Sequence, residues 1–238
     1  MHIPDSMLAG HVGPVTFAVG ASGVTAAVLS AVKTCERPSS GWFASVSAFI
    51  LAAQMFNYPV ASGTSGHLLG GTLAVLLLGV PFGILSMALV LITQCFLFSD
   101  GGVSALGANI VNMALIPALL TGMLCKARSG VVRVGMVSGV SVLLAALACS
   151  AEIAFSGKSS PGQVAGAMLG AHVRPAVMEG LMTALLFQAI RLPVSGFRGV
   201  PRSAALAALT AALILLSPWM SSWPDGFEKA VAGLNLLH

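Results

Sequence analysis

The chain has 238 residues, of which 57% are hydrophobic and only 8% charged, and its net charge is +4. Soluble domains carry about 25% charged residues, and a soluble chain of this length cannot hide so much apolar surface from water. Lys and Arg fall in short groups between apolar runs, which excludes the basic patch of a nucleic-acid-binding protein. The composition therefore predicts an all-α, polytopic integral membrane protein.

Seven or eight apolar segments are candidates for crossing the bilayer, since a spanning helix needs about 20 apolar residues. No Asp, Glu, Lys or Arg lies between Asp5 and Lys33, or between Arg37 and Asp100. Breaks at 57–66 and 79–81 divide the second stretch into three short segments. The predicted helices are 12–32, 42–57, 67–79, 82–98, 104–125, 133–154, 164–190 and 203–221.

The basic loops predict the orientation, because Lys and Arg are enriched in cytoplasmic loops. With eight crossings, one side of the membrane carries all three basic groups, which are Lys33 with Arg37, Lys126 with Arg128 and Arg133, and Arg191 with Arg198 and Arg202. The N-terminus and the 57–66 loop then lie outside. No basic region precedes the first apolar segment, as a cleavable signal requires. We therefore expect Met1 to be the mature first residue.

Two residue types are interpreted as packing residues. The four cysteines have no CxxC or Cys/His spacing, so neither a zinc site nor a disulfide framework is predicted. Gly162, Gly166 and Gly170 recur every fourth residue and leave one helix face nearly bare, which favours close helix packing inside the bundle over a partner interface.

The segment from Glu152 to Ser159 ends like a phosphate-binding loop. However, Glu152 replaces the first glycine of the GxxxxGK[ST] motif. We interpret it as an external loop and expect the chain to have no ATPase site of its own. Any ATP-driven work then requires a partner protein.

His2 occupies a position with known chelating geometry. The terminal amine of Met1, the amide nitrogen of His2 and its imidazole Nδ1 can close two fused rings in one plane, leaving the fourth corner for another imidazole. A planar nitrogen field suits Ni2+ or Cu2+ rather than zinc, calcium or magnesium. Many chains begin Met-His without consequence, so the spacing alone leaves both interpretations open.

His67 follows a run of glycine and hydroxylic residues, 62–66, and opens the third predicted span. That run permits a sharp turn on the outer side, which would bring His67 to the same side as His2. Ionisable residues at the membrane edge are candidates for function, although a capping or packing histidine fits equally well. His11, His172 and His238 have weaker patterns.

Three polar residues within predicted spans each have a structural and a functional interpretation. Glu179 either neutralises Arg174, bonds to a neighbouring helix or couples the site to the rest of the bundle. Asn109 and Asn112 lie three residues apart on one helix face, where buried amides need hydrogen bonds. They either join helices or orient a ligand of the metal.

These residues also carry a family resemblance. The segments Met1-His2-Ile3-Pro4-Asp5, Ala52–Met55 with Asn57, and Gly63–Gly71 around His67 closely resemble the CbiM/NikM family. The match continues through Phe98–Gly102, Leu106–Met113 and Glu179–Leu181, and it covers about residues 1–190. Members are the substrate-binding membrane components of energy-coupling-factor transporters for cobalt and nickel.

The resemblance implies a metal site made of the Met1 amine, the His2 amide and imidazole, and the His67 imidazole, with Asn57, Ser65 and Asn109 as possible supporting residues. It also implies Ni2+ or Co2+ as the transported substrate, and a transmembrane coupling component with paired ABC ATPases as partners in the bacterial inner membrane. The family reads Asp-Gly-Phe after the proline, whereas Ser6-Met7 follows Asp5 here. Arg174-Pro175 is unusual in the Glu179 block, which leaves the role of that helix open.

The C-terminal tail resembles a different component. Pro224-Asp225-Gly226-Phe227-Glu228 is similar to the Pro-Asp-Gly-Leu-Glu motif of a small accessory membrane protein, sometimes fused to the core. We therefore predict a metal-binding membrane domain over 1–200 and an additional helix with an external tail over 201–238.

Three other functions are conceivable for a membrane protein with these residues. A membrane metal receptor without transport is the main alternative. An intramembrane metalloenzyme needs an acid or base beside an open ligand position, and no carboxylate lies close to His67 in sequence. A stand-alone ion-coupled carrier is disfavoured by the scarcity of charges within the spans.

Overall fold

The computed structural model describes residues 2–61, 63–126, 129–191 and 201–236. Met1, Arg128, Arg198, His238 and the proposed boundary at 200/201 lie outside the described residues. The helices are α1 Val12–Lys33, α2 Ser40–Met55, α3 Gly71–Leu78, α4 Val80–Thr93, α5 Leu106–Ile110, α6 Ile116–Leu124, α7 Val131–Phe155, α8 Pro161–Arg191, α9 Arg202–Leu216 and α10 Gly226–Gly233. A hairpin of β1 Tyr58–Ala61 and β2 Thr64–Gly66 follows α2.

The all-α membrane architecture is confirmed. In the described ranges, six apolar helical stretches have 18 residues or more, and α2 adds a shorter apolar helix of 16. The α4 stretch continues to Phe98 and the α5–α6 stretch contains Val111–Leu115, both through single π-helical turns. These seven, with α3 as a partial eighth, agree with the predicted count of seven or eight.

The third predicted helix, 67–79, is wrong over its first four residues. Residues 67–70 are not helical, and α3 begins only after Gly70, whose φ of +77° is left-handed. The amides of Leu69 and Gly70 bond to the side chain of Glu179 instead of beginning a helix. The 57–66 break is likewise a paired hairpin, with Tyr58 opposite Gly66.

Glu152 does not lie in an external loop. It falls within α7, is buried, and accepts a hydrogen bond from Asn112 Nδ2 at 2.8 Å. The apolar run of α7 continues through Glu152 because Asn112 satisfies its carboxyl group inside the bundle. The loop begins only after Phe155.

The predicted close packing at Gly162, Gly166 and Gly170 is also wrong, because a Cβ added at any of them would meet open space. The close approach between α7 and α8 occurs further along, where a Cβ on Gly180 would lie 2.6 Å from the carbonyl oxygen of Gly135. Gly139 approaches Ala176 in the same way.

The loops gather at the two ends of the bundle. At one end, residues 2–7, the β-hairpin, residues 99–105 and the tail after α9 are joined by hydrogen bonds, including Gly102 N to Ile3 O and Ser65 N to Pro224 O. At the other, Trp42 Nε1 donates to Leu77 O near the α1–α2 loop that carries Arg37. Of the predicted site residues, those that the structure describes lie at the first end, namely His2, Asn57, Ser65, His67 and Asn109.

Candidate metal site

The side chain of Asn109 holds the segment that carries His2, because it forms hydrogen bonds with both the backbone N–H and the carbonyl of Ile3. Ile3 N donates to Asn109 Oδ1 at 2.9 Å, and Asn109 Nδ2 donates to Ile3 O at 3.2 Å. Asp5 is held next, because its Oδ1 accepts from the backbone and hydroxyl of Ser104 at 2.7 and 2.8 Å. These bonds fix the backbone that precedes α1.

The loop after α4 requires glycine where it meets this segment. A Cβ on Gly102 would overlap the backbone of Asp5, and Gly101 has a φ of +84°. Gly102 N also donates to Ile3 O at 2.9 Å. Close backbone contact therefore holds the N-terminal segment at the end of the bundle.

His67 is positioned by hydrogen bonds to the residues that follow it. Glu179 on α8 accepts hydrogen bonds from Leu69 N at 2.7 Å and Gly70 N at 3.0 Å, and Gln54 Nε2 donates to Leu69 O at 2.6 Å. Two helices thus fix the backbone two residues beyond His67. The His67 Nδ1 lies 3.3 Å from Leu68 O.

The two histidines meet in space although 65 positions separate them in sequence. Their rings are stacked, with centroids 5.8 Å apart and an interplanar angle of 17°. Both are buried. Burial also lowers the pKa of His67, which keeps its imidazole neutral near pH 7, the form that binds metals.

An aspartate accompanies each imidazole. His2 Nδ1 lies 3.2 Å from Asp100 Oδ1, and His67 Nε2 lies 3.8 Å from Asp225 Oδ2. Burial tends to raise the pKa of Asp100, but the hydrogen bond and charge of His2 bring it below its ordinary value. Both carboxylates therefore carry negative charge that favours a cation between them.

These side chains enclose a polar cavity of about 180 Å³, lined by His2, Gln54, Met55, Asn57, His67, Asp100, Asp225 and Glu228. Three buried atoms on these residues have no hydrogen-bond partner in the described ranges, namely His2 Nε2, Gln54 Oε1 and Asn57 Oδ1. Buried polar atoms are rarely left unpaired, so the cavity is suited to a polar guest.

The three predicted supporting residues have distinct places. Asn57 lines the cavity, and its carbonyl accepts from Ser221 N at 2.8 Å. Ser65 is buried and donates to Trp223 O at 2.7 Å. Asn109 clamps Ile3, so its amide fixes the chain beside His2.

Five residues that line the cavity were not predicted as site residues, namely Gln54, Met55, Asp100, Asp225 and Glu228. Asp100 and Gln54 lie within the motifs that carried the family resemblance, and their polarity beside apolar runs was an available signal. Asp225 comes from the far end of the chain, which no sequence pattern connects to His67. Glu179 was a candidate, and the structure shows that it bonds to the segment before α3.

The two other histidines in the described ranges, His11 and His172, do not line the cavity. His172 is buried in α8, where Nδ1 lies 2.8 Å from Met168 O. His11 is the exposed residue before α1. In the described ranges, no group of three or more His, Cys, Asp and Glu side chains is arranged to hold a metal ion.

Comparison with known proteins identifies the family of the chain. Residues 2–194 match the CbiM family, described as the cobalt uptake substrate-specific transmembrane region. An Archaeoglobus fulgidus protein, provisionally named fused nickel transport protein NikMN, is 33% identical over 99% of this chain and 83% of its own length.

A second relative, the fused nickel transport protein NikMN of Rhodobacter capsulatus, is 31% identical over 64% of this chain and 46% of its own length. A crystal structure titled as a transition metal transporter superposes with a TM-score of 0.70, at 29% identity, over 80% of this chain and 92% of that one. Sequence and fold agree over the region that holds His2 and His67. The chain belongs to the CbiM family.

Proposed function

We propose that this chain captures Ni2+ or Co2+ outside the membrane as the substrate-specific component of an energy-coupling-factor transporter. The observation that carries the proposal is the stacked pair of buried imidazoles, His2 and His67, at a polar cavity flanked by two aspartates. The names of the relatives, nickel and cobalt transport proteins rather than enzymes, support the choice of metal and of function.

The proposed ligands are the Met1 amine, the amide and Nδ1 of His2, and the His67 imidazole. Their four nitrogens suit a planar Ni2+ centre. In the structure His2 Nδ1 faces Asp100 at 3.2 Å. Binding through Nδ1 therefore requires this contact to break, with Asp100 remaining nearby as a counter-charge.

The basic residues support capture from outside. Arg37 lies at the end of the bundle opposite the cavity, as do Lys33 and Lys126 at the ends of α1 and α6. Because basic residues favour the cytoplasmic side, the cavity then opens to the exterior of the bacterial inner membrane.

The proposal assigns the energy of transport to partners, a transmembrane coupling component and paired ABC ATPases. The test is uptake of radioactive nickel and of cobalt by cells that express this chain with those partners. We expect uptake to require both the ATPases and His67, so an ATPase mutant in its nucleotide site and His67→Ala should each reduce uptake to background.

The matched control is His11→Ala, which removes an exposed histidine outside the cavity and should leave uptake unchanged. Metal retention by the purified chain without uptake in any partner background would favour a membrane metal receptor. Equal uptake by His67→Ala and the unaltered chain would contradict the proposed site.

A further inference from the structure

The C-terminal segment, defined here as residues 220–236, crosses the end of the bundle and joins the β-hairpin. Ser221 N donates to Asn57 O at 2.8 Å, before the first strand. Ser65, in the second strand, donates its backbone N–H to Pro224 O at 2.8 Å and its hydroxyl to Trp223 O at 2.7 Å. The segment is therefore bonded to the residues that lead into His67.

Helix α10 docks the same segment on α8. Phe227 and Val231 are buried, and Gly226 packs so closely on His172 that an added Cβ would lie 3.0 Å from its Nε2. This apolar contact fixes the turn that precedes α10 against the bundle.

A capping box sets the orientation of Asp225 at the start of α10. Asp225 Oδ1 accepts from Glu228 N at 2.8 Å, and Glu228 Oε2 accepts from Asp225 N at 2.9 Å. With Oδ1 engaged in the cap, Oδ2 points to His67 Nε2 at 3.8 Å.

A carboxylate beside a metal-binding imidazole has a known effect. A histidine that binds a metal through one ring nitrogen donates the N–H of the other, and a carboxylate acceptor fixes the ring and strengthens it as a ligand. Asp225 lies on the Nε2 side of His67 at ion-pair distance, 3.8 Å, and Nδ1 lies 3.3 Å from Leu68 O, so binding of a metal through Nδ1 would require the contact with Leu68 to break.

We propose that the C-terminal segment completes the metal site, with Asp225 as the positioning residue for His67, so that metal capture and docking of the segment are coupled. This inference rests on the proposed function. The family match ends at residue 194, so Asp225, the residue proposed to position His67, lies outside the matched region. The coupling is reciprocal: if docking of the segment tightens metal binding, then bound metal stabilises the docked segment by the same free energy.

The test compares Asp225→Asn with Lys229→Gln in the full-length purified protein. Asn keeps an oxygen that can cap α10 but removes the carboxylate charge from His67. Lys229→Gln alters a charge in the same helix at a residue that lines a separate pocket, beside Arg174. The two measurements are the Kd for Ni2+ and the hydrogen exchange of residues 220–236 with and without nickel chloride.

We expect Asp225→Asn to weaken nickel binding by about 10- to 100-fold and Lys229→Gln to leave it unchanged. Nickel should slow the exchange of the segment in the unaltered protein, and less so in Asp225→Asn. Unaltered nickel affinity in Asp225→Asn, or exchange of the segment that nickel does not change, would overturn the inference and leave the proposed function standing. Failure of the unaltered protein to bind nickel would overturn both.

Discussion

Glu179 Oε2 accepts a hydrogen bond from the backbone amide of Leu69 at 2.7 Å, although Glu179 follows Leu69 by 110 residues. Its second oxygen accepts from Gly70 N, so one buried carboxylate holds the chain just beyond His67. The position of a proposed ligand is thereby set by α8, a helix that contributes no proposed ligand itself.

Glu179→Ala should weaken nickel binding, because it leaves two buried amides without acceptors and releases the segment after His67. An unsatisfied buried donor costs about 1–3 kcal/mol. Glu179→Gln keeps one acceptor oxygen and should show a smaller loss. The measurement is the Kd for Ni2+, with Gln188→Ala, an exposed position on the same helix, as the control. Equal affinity in all three variants would show that α8 does not position His67.

Asn109→Ala should loosen the segment that carries His2. The substitution removes both hydrogen bonds to Ile3, at 2.9 and 3.2 Å. A loss of about 1–3 kcal/mol corresponds to about 5- to 150-fold weaker nickel binding. Thr93→Ala is a suitable control, because that exposed hydroxyl bonds within its own helix to Leu89 O. The idea fails if Asn109→Ala binds nickel as tightly as the control.

Nickel affinity should fall steeply as the pH decreases from 8. The terminal amine, with an ordinary pKa of about 8, and the His2 amide must each lose a proton to bind the metal, so the expected slope is about 100-fold per pH unit near pH 7. Burial lowers the pKa of His67, so its imidazole stays neutral further into acid and adds little to this slope. Competition titrations at several pH values measure it, and an affinity that is flat from pH 8 to pH 5 would contradict the ligand set.

Extension of the N-terminus by a single residue should abolish high-affinity binding. With Gly placed ahead of Met1, the amine that closes the first chelate ring becomes an amide, and the new amine lies one residue too far away. Acetylation of Met1 should act in the same way, by removing the basic lone pair. A small metal ion with planar coordination would bind less tightly if another ligand replaced the terminal amine.

The comparison uses C-terminally tagged protein with and without the added Gly, each loaded with nickel or cobalt and analysed for bound metal. An ordinary chain terminus is expendable and would show no difference. Equal metal content in the two proteins would remove the terminal amine from the site.

Apolar runs and basic loops were sufficient to predict an all-α membrane bundle, because lipid requires helices of a defined length and leaves little choice of backbone. These patterns mispredicted helix and loop where a polar group is satisfied by a side chain that is distant in sequence. Residues 67–70 are apolar enough to be predicted as helix, but Glu179 accepts the amides of Leu69 and Gly70, and the helix begins only after them. Glu152 carries a charge typical of a loop, yet Asn112 satisfies it inside α7.

The sequence alone was sufficient to select His2 and His67 as candidate metal ligands. His2 has a chelating position next to the terminus, and His67 follows a glycine-rich turn within specific motifs. Only the tertiary structure decided what surrounds them. Asp225 reaches His67 because α9 returns the chain to the end of the bundle and α10 docks on α8. Sequence patterns report local spacing, whereas the contact between His67 and a residue 158 positions later depends on how the helices pack.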